Sequence, residues 1–171
     1  MSKVSLWSKD GQCLEKVTRS NDRPAGESYA PLDTIATADW LIETLAQFSD
    51  HPVEAIIPVA HGAAIAGICN GVAAFVPPDY EWDIPAEALK LYRNQRDAFA
   101  ITGSPALPGG LNLGTQLHYL DGCGLLDDTV LMPYAQYWAW LLSGVPVTEV
   151  TSLGCHSDLW APDSADFSPM A

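Results

Sequence analysis

The octapeptide VEAIIPVA, Val53 to Ala60, constrains the fold more than any other stretch of this 171-residue chain. It has the length and apolar character of a buried parallel strand. It runs directly into His61-Gly62, which places a polar loop at the carboxyl end of that strand. In open α/β sheets this is where ligands bind.

The flanking sequence supplies both element types. Val4 and Leu6 alternate with polar neighbours, Asp10-Gly11 is a hairpin signal, and Cys13 to Thr18 is extended in character. Ser20 to Pro31 reads as loop. Helical spacing of Ile35, Ala38, Leu41, Ile42, Leu45 and Phe48 predicts an amphipathic helix from about Thr34 to Phe48, with Asp33 as its N-cap. Ala64 to Cys69 and Ala73 to Val76 form a second strand pair that turns at Asn70-Gly71. Pro85 to about Phe99 reads as one helix, and Gly114 to Tyr119 as a short one. Tyr134 to Leu142 is a helix opened by Pro133 and closed by Ser143-Gly144, apolar nearly all round and therefore expected to be buried. The tail after Trp160 is polar and expected to fray. This mixture is a two- or three-layer α/β arrangement.

Charge and cysteine usage exclude several function classes. The net charge is −13 and only 8 basic residues occur, scattered along the chain. Nucleic-acid and anionic-membrane partners both need clustered Lys and Arg. No window offers 18 uninterrupted apolar residues, and MSKVSLWSKDG has no apolar run behind its Lys, so neither a membrane span nor a signal peptide is expected. Cys13, Cys69, Cys123 and Cys155 are far apart with no CxxC, which reads as reduced thiols in a cytoplasmic protein. His61, His118, His156 and the cysteines show no metal-ligand spacing. A Cys155–His156 dyad lacks a third orienting group.

Four passages in order carry a family resemblance: the strand into His61-Gly62-Ala63, TGSPALPGGLNLGTQL from Thr102, PYAQYWAWLLSG from Pro133, and EVTSLGCHSDLW from Glu149. Together they resemble the FGGY carbohydrate kinases, nearest to the rhamnulose and fuculose kinase branch, over roughly Lys3 to Phe167. The resemblance implies an actin-like, ribonuclease-H-like domain, one of two that close over ATP and a sugar. In that family the reaction moves the γ-phosphoryl group from ATP-Mg²⁺ to a sugar hydroxyl, chiefly by positioning and charge neutralisation.

The resemblance also nominates residues. His61, Gly62 and Ala63 would shape the sugar pocket or contact a hydroxyl. Asp79 would accept sugar hydroxyls, with Tyr80 and Trp82 stacking on a sugar face and Glu81 beside them. Gln136, with Tyr137, would lie beside the cleft and bond vicinal hydroxyls. His156 or Asp158 would either face the sugar or pack structurally. Gly109, Gly110, Leu111 and Asn112 read as a tight turn, and Gln116 as structural.

By the same comparison the chain looks incomplete. The family opens with a strand carrying an Asp-x-Gly-x-Thr/Ser phosphate loop, and MSKVSLWSKDG resembles its second strand instead. The catalytic Asp and the ATP-binding domain would lie beyond Ala171, so no catalytic residue, cofactor site or metal site is assigned here. The expectation is a partial N-terminal domain with its first strand missing, inactive alone and marginally stable without a complementing chain or homo-oligomer. A non-catalytic sugar-binding module and one chain of a split kinase are the alternatives.

Overall fold

The computed structural model describes residues 1–26 and 28–171. Its centre is a three-stranded antiparallel sheet built from β3 (Ile65–Cys69), β4 (Val72–Phe75) and β5 (Val130–Pro133), in the order β4-β3-β5. Strands β3 and β4 join through Asn70 (φ 50°) and Gly71 (φ 78°), the positive pair that a two-residue hairpin turn requires. Side chains along a strand alternate between faces. Ala64, Ala66 and Ile68 point one way, into a cluster with Met132, Tyr134, Tyr137 and Trp138. Ile65 points the other way, into a cluster with Phe75, Leu113, Leu120, Leu153 and Leu159. Gly67, on that second face, has no room for a methyl group, which would strike the Phe75 ring and the Thr129 side chain.

Helices cover both faces. On the first lie α1 (Thr34–Ala46) and α5 (Tyr134–Ser143), reaching the cluster through Ala38 and Leu41 and through Tyr134, Tyr137 and Trp138. On the second lie α4 (Leu113–Gly122) and the single turn α6 (Val150–Leu153). Helix α2 (Ala86–Gln95) packs on α4, and the single turn α3 (Phe99–Thr102) follows it. Two hairpins stand apart from this sheet: β1 (Ser2–Trp7) with β2 (Cys13–Arg19), and β6 (Trp160–Ala161) with β7 (Asp166–Phe167).

Several expectations are corrected. Val53 to Ala60 is not a buried strand: it has no regular secondary structure, and Ile57 and Val59 are 81% and 88% exposed. Among the described residues its only backbone hydrogen bond is Val53 N–H to the His51 carbonyl, so it has no strand beside it. Helix α1 buries Thr34, Thr37 and Thr44 and leaves Ile35 and Ile42 in solvent, so its inner stripe is rotated from the apolar one. Asp33 precedes that helix without capping it, because its carboxylate accepts from Arg19 and from the Asp22 N–H instead. The single helix expected from Pro85 to Phe99 breaks at Arg96, whose backbone is extended. The tail is not frayed: Ser168 is buried, its hydroxyl donates to the Asp158 carbonyl, and Met170 N–H donates to the Asp97 carboxylate.

These burial differences are measurable. Ile57→Lys should change unfolding free energy by no more than about 0.5 kcal/mol, as expected of an exposed site. Ile65→Ala should cost about 2–5 kcal/mol, because it empties a packed position. Urea unfolding followed by tryptophan fluorescence separates the two, and a large loss for Ile57→Lys would overturn the exposed placement of this segment.

Candidate functional site

Four loops meet at the edge of the central sheet. The first, His61-Gly62-Ala63, leads into β3. The His61 ring packs edge-on against Tyr80 (centroids 4.9 Å apart) and at 5.4 Å from Tyr134 at the start of α5. A methyl built on Gly62 would lie 3.5 Å from the Cys155 Sγ, so the fourth loop, Gly154 to Asp158, borders the first. The second loop follows β4. Its position is fixed by backbone bonds to the segment before α1, with Leu32 N–H donating to Pro77 O and Asp79 N–H donating to Ala30 O, both at 2.8 Å. One Asp79 carboxylate oxygen accepts the Glu81 N–H at 3.0 Å.

Gln116 joins the first loop to the third, residues 103–112 between α3 and α4. It lies in the first turns of α4, is 2% exposed, and its Nε2 donates to Ala63 O at 2.9 Å and to Gly110 O at 2.7 Å. Its Oε1 is buried and has no partner among the described residues. Two carbonyls held by one amide fix the distance between these loops, so this residue positions the site as well as packing. Its i+3 distance from Leu113 in a helix opening was the only signal in the sequence, and that signal does not separate a latch from a core amide.

Asp158 organises the side behind the loops. Its carboxylate is fully buried and accepts from the Tyr92 hydroxyl at 2.5 Å, from Arg96 at 2.7 and 3.1 Å, and from Asn112 Nδ2 at 3.2 Å. Arg96 also donates to Ser104 O at 2.8 Å, and Asn112 Oδ1 accepts the Leu107 N–H at 2.7 Å. Burial, with the neighbouring Asp158 carboxylate, pushes the Tyr92 hydroxyl pKa up, so the phenol stays a donor. The carbonyls of His156 and Ser157 accept the N–H groups of Leu113 and Gly114, which satisfies the start of α4. Asp158 is therefore committed to structure, whereas the His156 side chain is exposed.

The nominated residues divide accordingly. His61, Gly62, Ala63, Asp79 and Tyr80 come together, and His156 stands on the bordering loop. Gln136 is half-buried on α5 with its Oε1 unpartnered among the described residues. Tyr137 is buried, stacked on Tyr134 at 6.1 Å and set edge-on to Trp138 at 5.1 Å. Trp82 lies between Tyr29 and Tyr119, at 6.1 and 4.8 Å, and Glu81 pairs with Arg23 in solvent. A hollow of about 370 Å³ lies elsewhere, lined by Pro24, Tyr29 and Trp82 among others, and His61, Asp79, Tyr80 and His156 do not border it. Tyr134 was not anticipated. Its hydroxyl shares a hydrogen bond with Thr34 Oγ1 at 3.2 Å, and burial pushes its pKa up to about 12.

The arrangement offers hydroxyl-recognition chemistry: an imidazole between two aromatic rings, with a carboxylate nearby. Among the described residues no group of three or more His, Cys, Asp or Glu side chains is placed to hold a metal ion. Among the described residues no helix is long and apolar enough to cross a membrane. Crowding by its neighbours lowers the His61 pKa, and the Asp79 carboxylate partly offsets this. A depressed imidazole is neutral in the folded state where the unfolded chain still binds a proton. Its contribution to stability is therefore present above the unfolded value and is lost as pH falls through the folded one.

The comparisons with known proteins follow this geometry. No family model matches the chain, and no curated protein matches it. Among solved structures it is similar to a carbohydrate kinase from Novosphingobium aromaticivorans, with 51% identity and a TM-score of 0.95. The match covers 99% of this chain and 37% of that one. Over nearly its whole length, then, the chain shares the fold and half the residues of part of a carbohydrate kinase.

Two measurements test the site. NMR titration should place the His61 midpoint below the ordinary histidine value, and Asp79→Asn should lower it further, because that carboxylate is the group that raises it. An upward shift in Asp79→Asn would break the assigned pairing. Asp158→Ala should cost about 3–5 kcal/mol, because it leaves the buried Tyr92 hydroxyl and the half-buried Arg96 without their shared acceptor. Denaturant unfolding reads this loss, and a cost below about 1 kcal/mol would refute the organising role.

Proposed function

We propose that this chain forms the sugar-side part of the N-terminal, actin-like domain of an ATP-dependent carbohydrate kinase of the FGGY type, in the rhamnulose and fuculose kinase branch. The observation that carries the proposal is the 51% identity maintained over 99% of the chain at a TM-score of 0.95. The substrate class is a ketose or deoxyketose. The loop cluster supports this, since a sugar presents vicinal hydroxyls that need donors and acceptors in a shaped, partly aromatic cleft. His61, held largely neutral at pH 7, can accept a hydroxyl proton at one ring nitrogen and donate from the other. Asp79 supplies an acceptor, Tyr80 supplies a ring face, and the His156 loop closes the side.

ATP and Mg²⁺ do not fit the described residues. No cluster of metal-binding side chains exists among them, and the 171 residues contain no Asp-x-Gly-x-Thr/Ser loop. The part played by these residues is therefore to bind and orient the sugar, and no phosphoryl-transfer step is assigned to them. The cytoplasm is the proposed location, on the strength of the four unpaired cysteines.

A chimera tests the reading: the 171 residues replace the matched stretch of the Novosphingobium kinase. The chimera should phosphorylate at least one of rhamnulose, fuculose, ribulose or xylulose with ATP, while the 171 residues alone turn over none. His61→Ala in the chimera should raise KM about tenfold with a smaller change in kcat, as the loss of a ground-state contact does. A folded chimera inert toward all four ketoses would sink the proposal. Calorimetric heat from a ketose with the isolated chain would favour a free-standing sugar-binding module.

A further inference from the structure

The His61 imidazole is oriented without a hydrogen bond from the described residues. Asp79 acts on it through its charge, and neither ring nitrogen has a bonded partner among them. An imidazole that serves a ligand is commonly held by a hydrogen bond at its second nitrogen, which fixes tautomer and direction. Here both nitrogens are left for a ligand, and ring contacts set the direction. Tyr80 meets the imidazole edge-on at 4.9 Å, and Tyr134 meets it at 5.4 Å with the planes 47° apart.

The two rings are unequal supports. Tyr80 is half-buried on the loop after β4. Tyr134 is buried and held from several directions. Its ring stacks on Tyr137 at 6.1 Å and lies 5.2 Å from Trp138. Its N–H donates to Ala64 O at 3.1 Å, one residue past the His61-Gly62-Ala63 loop. Its hydroxyl shares the 3.2 Å hydrogen bond with Thr34 Oγ1 at the start of α1. Thr34 N–H in turn donates to Leu32 O, and Leu32 N–H to Pro77 O, two residues before Asp79. One side chain therefore touches the imidazole and is tied by its backbone to the first loop and by its hydroxyl toward the second. Burial pushes the phenol pKa up to about 12, so Tyr134 stays neutral where a histidine titrates.

We infer that Tyr134 is a positioning residue, whose anchored ring sets the direction in which His61 presents its nitrogens to the sugar. The role toward a sugar rests on the kinase reading, whereas the hold on His61 does not. A functional group keeps its geometry when the side chain behind it is itself locked by packing and hydrogen bonds. A tyrosine that only filled the core would leave His61 unchanged when another apolar side chain took its place.

Two readouts separate these roles. In the 171-residue chain, Tyr134→Leu should move the His61 Hδ2 and Hε1 resonances and raise the His61 titration midpoint toward the ordinary value, because the imidazole turns into water. The titratable groups facing that imidazole are Asp79 and Tyr80 from the second loop and Tyr134 from α5, with Cys155 and His156 on the loop bordering Gly62. The substitution leaves all but Tyr134 in place, and Tyr134→Phe, which keeps the ring, should restore the resonances. In the chimera, Tyr134→Leu should raise KM about tenfold with a smaller change in kcat, and Tyr134→Phe should bring KM back to within about threefold of the parent. Added to His61→Ala, Tyr134→Leu should raise KM no further, because a residue acting through another is not additive with it. Effects on KM that multiply, or His61 resonances and midpoint unmoved in a folded Tyr134→Leu chain, would overturn the inference. If Tyr134→Leu does not fold, the parent chain decides. Its Hα–Hβ couplings should report a single His61 χ1 rotamer, with nuclear Overhauser contacts to the Tyr134 ring, and averaged couplings would overturn the inference. A chimera inert toward every ketose, with His61 responding as stated, keeps the hold on His61 and removes the kinase reading. An active chimera with His61 unmoved does the reverse.

Discussion

The buried carboxylate of Asp158 ties together parts of the chain that are far apart in sequence. Tyr92 and Arg96 reach it from α2 and the residue after it, and Asn112 from the turn before α4. An ionised group this far from water is tolerated only when its lone pairs are filled, and here four donated bonds fill them. Arg96 passes the constraint on to Ser104 O, and Asn112 to Leu107. The Gly- and Pro-rich stretch between α3 and α4, which has almost no regular structure, is thereby held by side chains. Gln116 then fixes Gly110 of that stretch to Ala63, so the position of the His61 loop depends in turn on the same network.

Electrostatics and shape are divided between the two layers. The network around Asp158 is closed to solvent and gains rigidity from low polarity, because each of its bonds strengthens there. The loop cluster in front is open. His61 is exposed and only one Asp79 oxygen is engaged by the protein. Groups left with spare hydrogen-bonding capacity on a rigid support are what recognition of a polyhydroxylated ligand requires, because the cost of ordering them has been met in folding.

Much of this was legible in residue order. The Asn70-Gly71 hairpin, the strand β1–β2 pair and helix α5 follow from turn chemistry, alternation and the Pro133–Gly144 bracket, all of which are local signals. The convergence of His61 with Tyr80 was reached only through family resemblance, since nothing local relates residue 61 to residue 80. Asp158 could not be assigned from sequence because its role depends on Tyr92, Arg96 and Asn112 arriving together. The tail misled for a similar reason: the anchoring of Ser168 and Met170 comes from Asp158 O and Asp97, distant in sequence. Thr37 and Thr44 displaced Ile35 and Ile42 from the inner face of α1 because Thr37 accepts from Arg19 and Thr44 donates to its own helix at Trp40 O.

The reading of Val53 to Ala60 failed in a more informative way. Its composition is that of a buried strand, and burial needs a neighbour that the described residues do not supply. A local preference and its environment are in conflict here, whereas natural sequences are consistent across levels. The conflict disappears if the environment is extended rather than the preference denied. The segment also leads without interruption into His61, so the placement of one bears on that of the other. The loop itself is fixed through Gln116 and the neighbouring rings.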